Sequence, residues 1–289
     1  MKGVILAAGE GTRIKDITYG AIPKELLPIG NVPTIRFPLE SMKLLGIDRM
    51  IVVIPPNGKQ SLVQGLRSGQ QFGVDICYVV QENNGPRGIG KAIEAAKNWV
   101  DEDDFVVACG DTILCNFLAH NPFDCLQPLK KVQYLNDPIA SVILFPLSDG
   151  PERFGVAKFK NLDNDEGTLY GEIDVLIEKP SIEKAKELKS NGFYYVIAGY
   201  YLFSPRIFPY IEKTDPGKNN EVQITDAMIL AMNNGEKVYG IVHGGNNGKQ
   251  FLPYEYWDVG MPEAYKEANK KLIDIDLIEI LRKVNGKCK

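Results

Sequence analysis

The sequence predicts an α/β fold, a mixed and mainly parallel sheet with helices on both faces, and three observations carry that prediction. A compact apolar run, Gly3 to Ala8, opens into the glycine-rich segment Gly9-Glu10-Gly11-Thr12-Arg13, the pattern of a buried strand feeding a ligand loop. Similar runs at Met50 to Ile54, Val74 to Val80 and Phe105 to Cys109 alternate with helix-like stretches around Ile35 to Leu45, Leu62 to Ser68 and Ile89 to Val100. Such alternation implies parallel strands covered on both sides, a Rossmann-like arrangement. After Asp111 the rhythm changes to successive strand-like runs, Ile139 to Leu147, Val156 to Phe159, Leu169 to Glu178 and Tyr194 to Phe203, expected to extend the same sheet and cover a site. Helical patterns return at Gln223 to Met232 and from Pro262 to about Val284, the latter with proline at a first helical position. This last segment carries Leu272, Ile275, Leu277, Ile278 and Leu281, enough to pack on the body or on a neighbouring subunit.

Composition narrows the function classes. With 44% apolar and 24% charged residues, the chain is ordinary for a globular protein, and 289 residues suit one large α/β domain with an insertion. No linker rich in Pro, Gly or Ser divides it. A net charge of -4 argues against a nucleic-acid binder, because polyanion binding needs a clustered cationic surface. The five cysteines, Cys77, Cys109, Cys115, Cys125 and Cys288, include no Cys-x-x-Cys pair, so neither a disulfide framework nor a zinc site is suggested and a reducing cytoplasm is expected. No apolar run approaches the length that crosses a bilayer, and the start reads as a core strand rather than a signal peptide.

The glycine-rich turn lets backbone N–H groups approach phosphates closely. A dinucleotide fingerprint would want glycine where Ile14 stands and an acid after the second strand, where Pro55, Pro56 and Asn57 stand. A Walker A loop would end in Gly-Lys-Ser/Thr, against Gly11-Thr12-Arg13 here. What does follow is Arg13 and then Pro23-Lys24-Glu25-Leu26-Leu27-Pro28, two permanent cations that could neutralise a triphosphate. Asp111 follows the fourth strand, at the strand end where open α/β sheets bind ligands. With Asp258 in Tyr256-Trp257-Asp258-Val259-Gly260 it could hold one Mg2+, an ion that prefers one or two carboxylates plus phosphate oxygens and water. Glu178-Lys179-Pro180 closes a strand with an acid and a base, read either as a surface ion pair or as a grip on sugar hydroxyls and a sugar phosphate. Neither His120 nor His243 lies in a recognisable motif, and neither is assigned a role.

Taken in order, Leu6 to Arg13, Pro23 to Pro28, Gly110-Asp111, Phe154-Gly155-Val156, Glu178-Lys179-Pro180, Glu221-Val222-Gln223-Ile224-Thr225-Asp226 and Trp257-Asp258-Val259-Gly260 resemble the sugar-1-phosphate nucleotidyltransferases across nearly the whole chain. The similarity is greatest to the glucose-1-phosphate uridylyl- and thymidylyltransferases. It implies the nucleotide-diphospho-sugar transferase type of fold in a single domain, 1–289. A nucleotide-binding part would cover about 1–111, an inserted sugar-binding and sheet-extending part about 112–260, and a helical part about 261–289. It further implies that Gly9, Gly11, Thr12 and Arg13 wrap the triphosphate, that Lys24 contacts the reacting phosphates, and that Asp111 and Asp258 hold Mg2+ beside the nucleotide. Ala8, Gln81 and Gly88 would line the base pocket. Gly155, Glu178, Lys179 and Gly199 would surround the sugar phosphate, and Arg13, Lys24 and Lys179 would do the electrostatic work of catalysis. One departure stands out: Asn83-Asn84-Gly85-Pro86-Arg87-Gly88, where a shorter Gly-Leu-Ala type stretch is usual.

The expected reaction joins a nucleoside triphosphate to a sugar 1-phosphate with release of pyrophosphate, by in-line attack that needs positioning and charge stabilisation more than covalent help. UTP and glucose 1-phosphate are the favoured pair, because Ala7-Ala8-Gly9 resembles the UTP-using members. The dTTP reaction is the alternative, and a catalytically silent nucleotide-sugar sensor is the alternative of another class. A homo-oligomer is expected, with no nucleic-acid or membrane partner.

Overall fold

The computed structural model describes residues 1–116, 121–165, 168–243, 245–246, 251–252 and 254–286. His120 and Cys288 lie outside the described residues. The first four strands of the main sheet are β1 (Lys2–Leu6), β2 (Arg49–Ile54), β3 (Asp75–Val80) and β4 (Phe105–Cys109), all parallel in the order β3-β2-β1-β4. Between them run α1 (Arg36–Leu44), α2 (Gln60–Leu66) and α3 (Ile89–Ala95). Alternate residues of β1 enter opposite cores: Val4 and Leu6 meet Ile93 and Phe105 on one face, and Ile5 and Ala7 meet Leu39 and Met42 on the other. Both faces are therefore dry, which is why these strands read as unbroken apolar runs. Each such side chain contributes roughly 1.5–3 kcal/mol by leaving water.

Beyond Asp111 the chain adds β5 (Thr112–Asn116), α4 (Gln127–Asn136), β6 (Ala140–Leu147), β7 (Gly155–Phe159), β8 (Asp163–Asp165), β9 (Thr168–Glu178), α5 (Ile182–Leu188), β10 (Tyr194–Phe203), α6 (Phe208–Lys213), α7 (Ile224–Asn233), β11 (Val238–Val242) and β12 (Tyr254–Asp258). Strands from before and after Asp111 share one ten-stranded sheet, ordered β8-β9-β11-β6-β10-β4-β1-β2-β3, with β7 branching to β9 and β10. The sheet is mixed. In the second half only β11 and β6 run parallel; β10 is antiparallel to both β4 and β6, and β9 is antiparallel to β7, β8 and β11. Only β8 returns directly into β9; the other antiparallel neighbours are separated in the chain by further strands and helices.

The helix expected from Pro262 to about Val284 is broken in two, α8 (Pro262–Leu272) and α9 (Leu277–Gly286). Asp276 explains the break: its carboxylate accepts from the backbone N–H of Glu279 at 2.9 Å and from Asn31 at 2.8 Å, restarting a helix where a continuous one would have run on. The turn brings Leu272, Leu277 and Leu281 together into a third core with Ile29, Phe37, Phe123 and Trp257, so these leucines pack on the body of the chain. No described helix is long and apolar enough to cross a membrane.

Candidate active site

Because β1 and β4 are parallel neighbours with Leu6 opposite Cys109, the loops that follow them leave the sheet at the same edge. The Gly110 N–H donates to the Leu6 carbonyl at 2.9 Å, tying the two loops together. Gly11 turns the first loop at φ +66°, a conformation that costs a residue with a Cβ. The side chain of Lys24 runs beneath this loop: a Cβ on Gly9 would stand 3.2 Å from its Nζ, and one on Gly11 would stand 3.7 Å from its Cδ. Lys24 Nζ in turn donates to Asp111 Oδ2.

Asp258 reaches the same point through a short ladder of its own. Strands β5 and β12 pair antiparallel with Thr112 opposite Asp258, and the Val259 N–H donates to the Asp111 carbonyl at 3.0 Å. Asp111 Oδ2 and Asp258 Oδ1 consequently lie 2.9 Å from one common point, the place a Cβ on Gly260 would occupy, and Arg13 Nη2 lies 3.5 Å from it. Arg13 also stands 3.7 Å from Asp258 Oδ2.

The charges shape one another. Burial draws the Lys24 ammonium down, but the carboxylates of Asp111 and Glu25 outweigh it and hold the pKa above the ordinary lysine value. Burial pushes Asp111 up, and the Lys24 charge and hydrogen bond, with Arg13 beyond, overcome that and leave it below the usual carboxylate range. Asp258 goes the other way, raised by burial and by the like charge of Asp111 in spite of Arg13 and Lys24. Two carboxylates converging on one point could hold a divalent cation. Among the described residues no group of three or more His, Cys, Asp or Glu could hold a metal by itself. The donor set therefore suits an ion completed by phosphate and water, which is the habit of Mg2+. The Cys109 thiol, next to Gly110, is pushed up by burial and by Asp111, which keeps it protonated and a poor nucleophile.

Beneath this cluster sits a pair that the sequence did not disclose. The Glu25 side chain is fully buried, and Lys59 Nζ donates to both its oxygens at 2.9 and 2.8 Å. Burial raises Glu25 and lowers Lys59, the signature of two ions held out of water. Lys59 comes from the turn after β2, where no acid stands to receive a ribose; the residue that matters there is a cation.

The proposed sugar end is built separately. Gly155 begins β7 opposite Glu178 at the end of β9, and a Cβ on Gly155 would meet Ile197 at 2.8 Å, Thr225 Oγ1 at 3.0 Å and Glu178 Oε2 at 3.2 Å. Lys179 follows with φ +44°, a left-handed backbone unusual for a lysine, held by its N–H donating to the Phe154 carbonyl at 3.0 Å. Its Nζ lies 3.2 Å from Glu178 and 4.0 Å from Glu221. Gly199, in a register shift of β10 against β6, abuts the other end: its Cβ position is 3.2 Å from Thr112 Oγ1 and 3.3 Å from Cys109 Sγ.

Arg13, Lys24, Asp111 and Asp258 are thus drawn around one point under the glycine loop, with Gly9 and Gly11 above Lys24. Thr12 is exposed at the start of the segment after Gly11, and Ala8 is half-buried against the core. Gln81 leaves the edge strand β3 with its N–H donating to the Ile54 carbonyl at 2.8 Å. Gly88 precedes α3 at φ +108°, where a Cβ would fall 2.5 Å from the Val222 carbonyl. Lys179 stands apart from the four, with Glu178 and Glu221 as its charged partners. A hollow of about 940 Å³ lined by Asp104, Lys131, Tyr134 and Tyr170 contains none of these groups.

The family model described as nucleotidyl transferase matches residues 2–275. The chain is 31% identical over 275 residues to the low-salt glycan biosynthesis nucleotidyltransferase Agl11 of Haloferax volcanii, covering 95% of this chain and 66% of that protein. It is 28% identical over 275 residues to a glucose-1-phosphate thymidylyltransferase of Streptomyces antibioticus, covering 95% and 67%. The chain spans about two thirds of the length of these curated relatives. A solved UDP-glucose pyrophosphorylase in complex with UDP-glucose superposes with a TM-score of 0.73 at 26% identity, covering 93% of this chain and 97% of that one. Family match, fold and converging charges together place this chain in the nucleotidyl transferase family, among the sugar-1-phosphate nucleotidyltransferases.

Proposed function

We propose that the chain transfers a nucleotidyl group from a nucleoside triphosphate to a sugar 1-phosphate, releasing pyrophosphate, with UTP and glucose 1-phosphate as the preferred substrates. The observation that carries this reading is the convergence of Lys24, Asp111, Asp258 and Arg13 beneath a glycine-lined loop. The sugar phosphate oxygen attacks the α-phosphorus, and the bond to the pyrophosphate oxygen breaks as the new one forms. Backbone N–H groups of Gly9 to Arg13 hold the triphosphate, Arg13 grips its oxygens, and Lys24 offsets charge at the reacting phosphate. Lys179 holds the sugar phosphate while Glu178 accepts from sugar hydroxyls. Asp111 and Asp258 would hold Mg2+, which supplies charge screening on the α-phosphate and on the departing pyrophosphate.

The preference for UTP rests on Ala7-Ala8-Gly9 and on the likeness to a UDP-glucose pyrophosphorylase. The dTTP reaction has support of its own in the thymidylyltransferase relative. One methyl group on the base is worth only about 1–3 kcal/mol of discrimination, so few residues separate the two readings. Pyrophosphate release measured with UTP, dTTP, CTP and GTP against glucose 1-phosphate and N-acetylglucosamine 1-phosphate tests all of this. Faster release with UTP and glucose 1-phosphate is expected. Faster release with dTTP would move the assignment to the thymidylyl reaction, and no release with any pair would favour a silent sensor.

A further inference from the structure

The segment that departs from the family pattern, Asn83 to Gly88, delivers a cation to the glycine loop. Arg87 Nη1 donates to Glu10 Oε1, and Glu10 stands between the two glycines of that loop. An acid in a loop that cradles phosphates repels the ligand unless something neutralises it. Arg87 is mounted to do so. Its N–H donates to the Asn220 carbonyl at 3.1 Å and its carbonyl accepts from the Val222 N–H at 2.7 Å, so the backbone at its root is pinned on both sides. Gly88, next in the chain, leaves no room for a Cβ against Val222. The side chain itself stays in water, 49% exposed against 56% for Glu10. An exposed pair of this kind contributes little to stability and exchanges readily, whereas a guanidinium on phosphate oxygens forms a stronger, forked contact.

Resting on the proposed reaction, we propose that Arg87 is a third triphosphate-binding cation, which exchanges the Glu10 carboxylate for phosphate oxygens when the nucleotide enters. Glu10 then sets the strength of nucleotide binding by competing for the same guanidinium. The segment that pins Arg87 also carries Glu221, whose carboxylate accepts from Gln223 at 2.6 Å and lies 4.0 Å from Lys179. The segment 220–222 that pins Arg87 therefore also carries a charged neighbour of the lysine at the sugar end.

The test uses the full chain with Arg87→Gln, Arg87→Lys and Glu10→Gln, following pyrophosphate release and, separately, equilibrium binding of Mg-UTP and Mg-dTTP at several salt concentrations. Arg87→Gln is expected to raise the KM and Kd for nucleotide about tenfold or more, with a shallower salt dependence and little change in kcat or in the KM for sugar phosphate. Arg87→Lys should recover part of the loss. Glu10→Gln should tighten nucleotide binding several-fold in the parent background and, in Arg87→Gln, recover part of the loss by removing the acid left without its cation. An unchanged nucleotide Kd in Arg87→Gln overturns the proposal, as does a loss spread equally over kcat and both substrates. If Arg87→Gln fails to fold, Glu10→Gln decides: binding no tighter than the parent overturns it. A parent chain that releases no pyrophosphate with any pair counts against the reaction instead, and the nucleotide-binding arm still judges Arg87.

Discussion

The two ends of the site use charge in opposite ways. Under the glycine loop the innermost ions are buried and locked in pairs: the side chains of Lys24 and Asp111 are 14% and 10% exposed and Glu25 is sealed against Lys59, while Arg13 at the rim stays 57% exposed. At the other end Lys179 is 42% exposed and pairs loosely with Glu178 and Glu221. Buried ions can be held in place only by their partners, so the nucleotide end is pre-organised for a ligand of fixed charge and geometry. An exposed lysine is rotatable and hydrated, suited to sugar phosphates that differ in their hydroxyls. On the proposed reaction, the chemistry would be fixed at one end and the substrate range tuned at the other.

The contrast is tested hardest by Asp111→Ala, which removes both a proposed metal ligand and the partner of Lys24. Turnover should fall by three orders of magnitude or more at ordinary Mg2+, and the uncompensated lysine should lower stability by about 3–5 kcal/mol. Kinetics near those of the parent would end the metal assignment; normal stability would end the claim that this pair is locked. Lys59→Met comes next. It leaves Glu25 buried without its two hydrogen bonds, and urea denaturation should show a loss of about 3 kcal/mol or more, largely restored when Glu25→Gln is added. A double variant as unstable as the single one would mean that the loss comes from packing rather than from the unpaired charge.

Much of this was written in local sequence, and what was not has a physical reason. The parallel strands are apolar runs because both of their faces are covered, and Asp111 is visible because it follows such a run across a glycine. Strand β12 was missed: Tyr254-Glu255-Tyr256-Trp257-Asp258 mixes aromatic and acidic residues, and only its ladder with Thr112 to Asn116, far away in the chain, makes it a strand. Asp258 was legible as part of a motif, but its place beside Asp111 depends on that ladder. The short β8 and β11 escaped for the same reason, being completed by neighbours. The Glu25–Lys59 pair left no local mark, since two charged residues in loops look solvated until the fold removes the water. The turn at Asp276 was hidden because Leu272, Ile275, Ile278 and Leu281 continue an apolar spacing of three through it.

A third environment separates acid sensitivity from the site. His243 is buried, its ring 4.2 Å from that of Tyr254 and its Nε2 without a hydrogen-bond partner among the described residues. Burial lowers its pKa to about 4, a hydrogen bond with the Cys125 backbone only partly opposing this. The unfolded chain takes up a proton as pH falls through about 6.5, whereas the folded protein resists until about 4. Stability should therefore decline across that window, by about 3 kcal/mol in full at roughly 1.4 kcal/mol per pKa unit. Asp111, held below the usual carboxylate range, loses its contribution only at still lower pH. In His243→Phe the decline between pH 6.5 and 4 should flatten; parallel curves for variant and parent in urea would show that other groups govern it.

The smallest effect is expected at the exposed end. Lys179→Ala removes a cation that water already screens, so the fold should stay within about 0.5 kcal/mol of the parent. Releasing the left-handed backbone at 179 is no remedy, because alanine is strained there too. The loss should appear instead as a rise of about tenfold to a hundredfold in the KM for sugar 1-phosphate, the worth of one charge-assisted hydrogen bond, with the nucleotide KM nearly unchanged. Lys179→Arg should recover some affinity, because the site is open enough to admit a longer cation. If Lys179→Ala raised the nucleotide KM as much as that of the sugar phosphate, the two ends would not be independent. Segment 220–222, which pins Arg87 and carries Glu221 near Lys179, would then be the first place to look for their coupling.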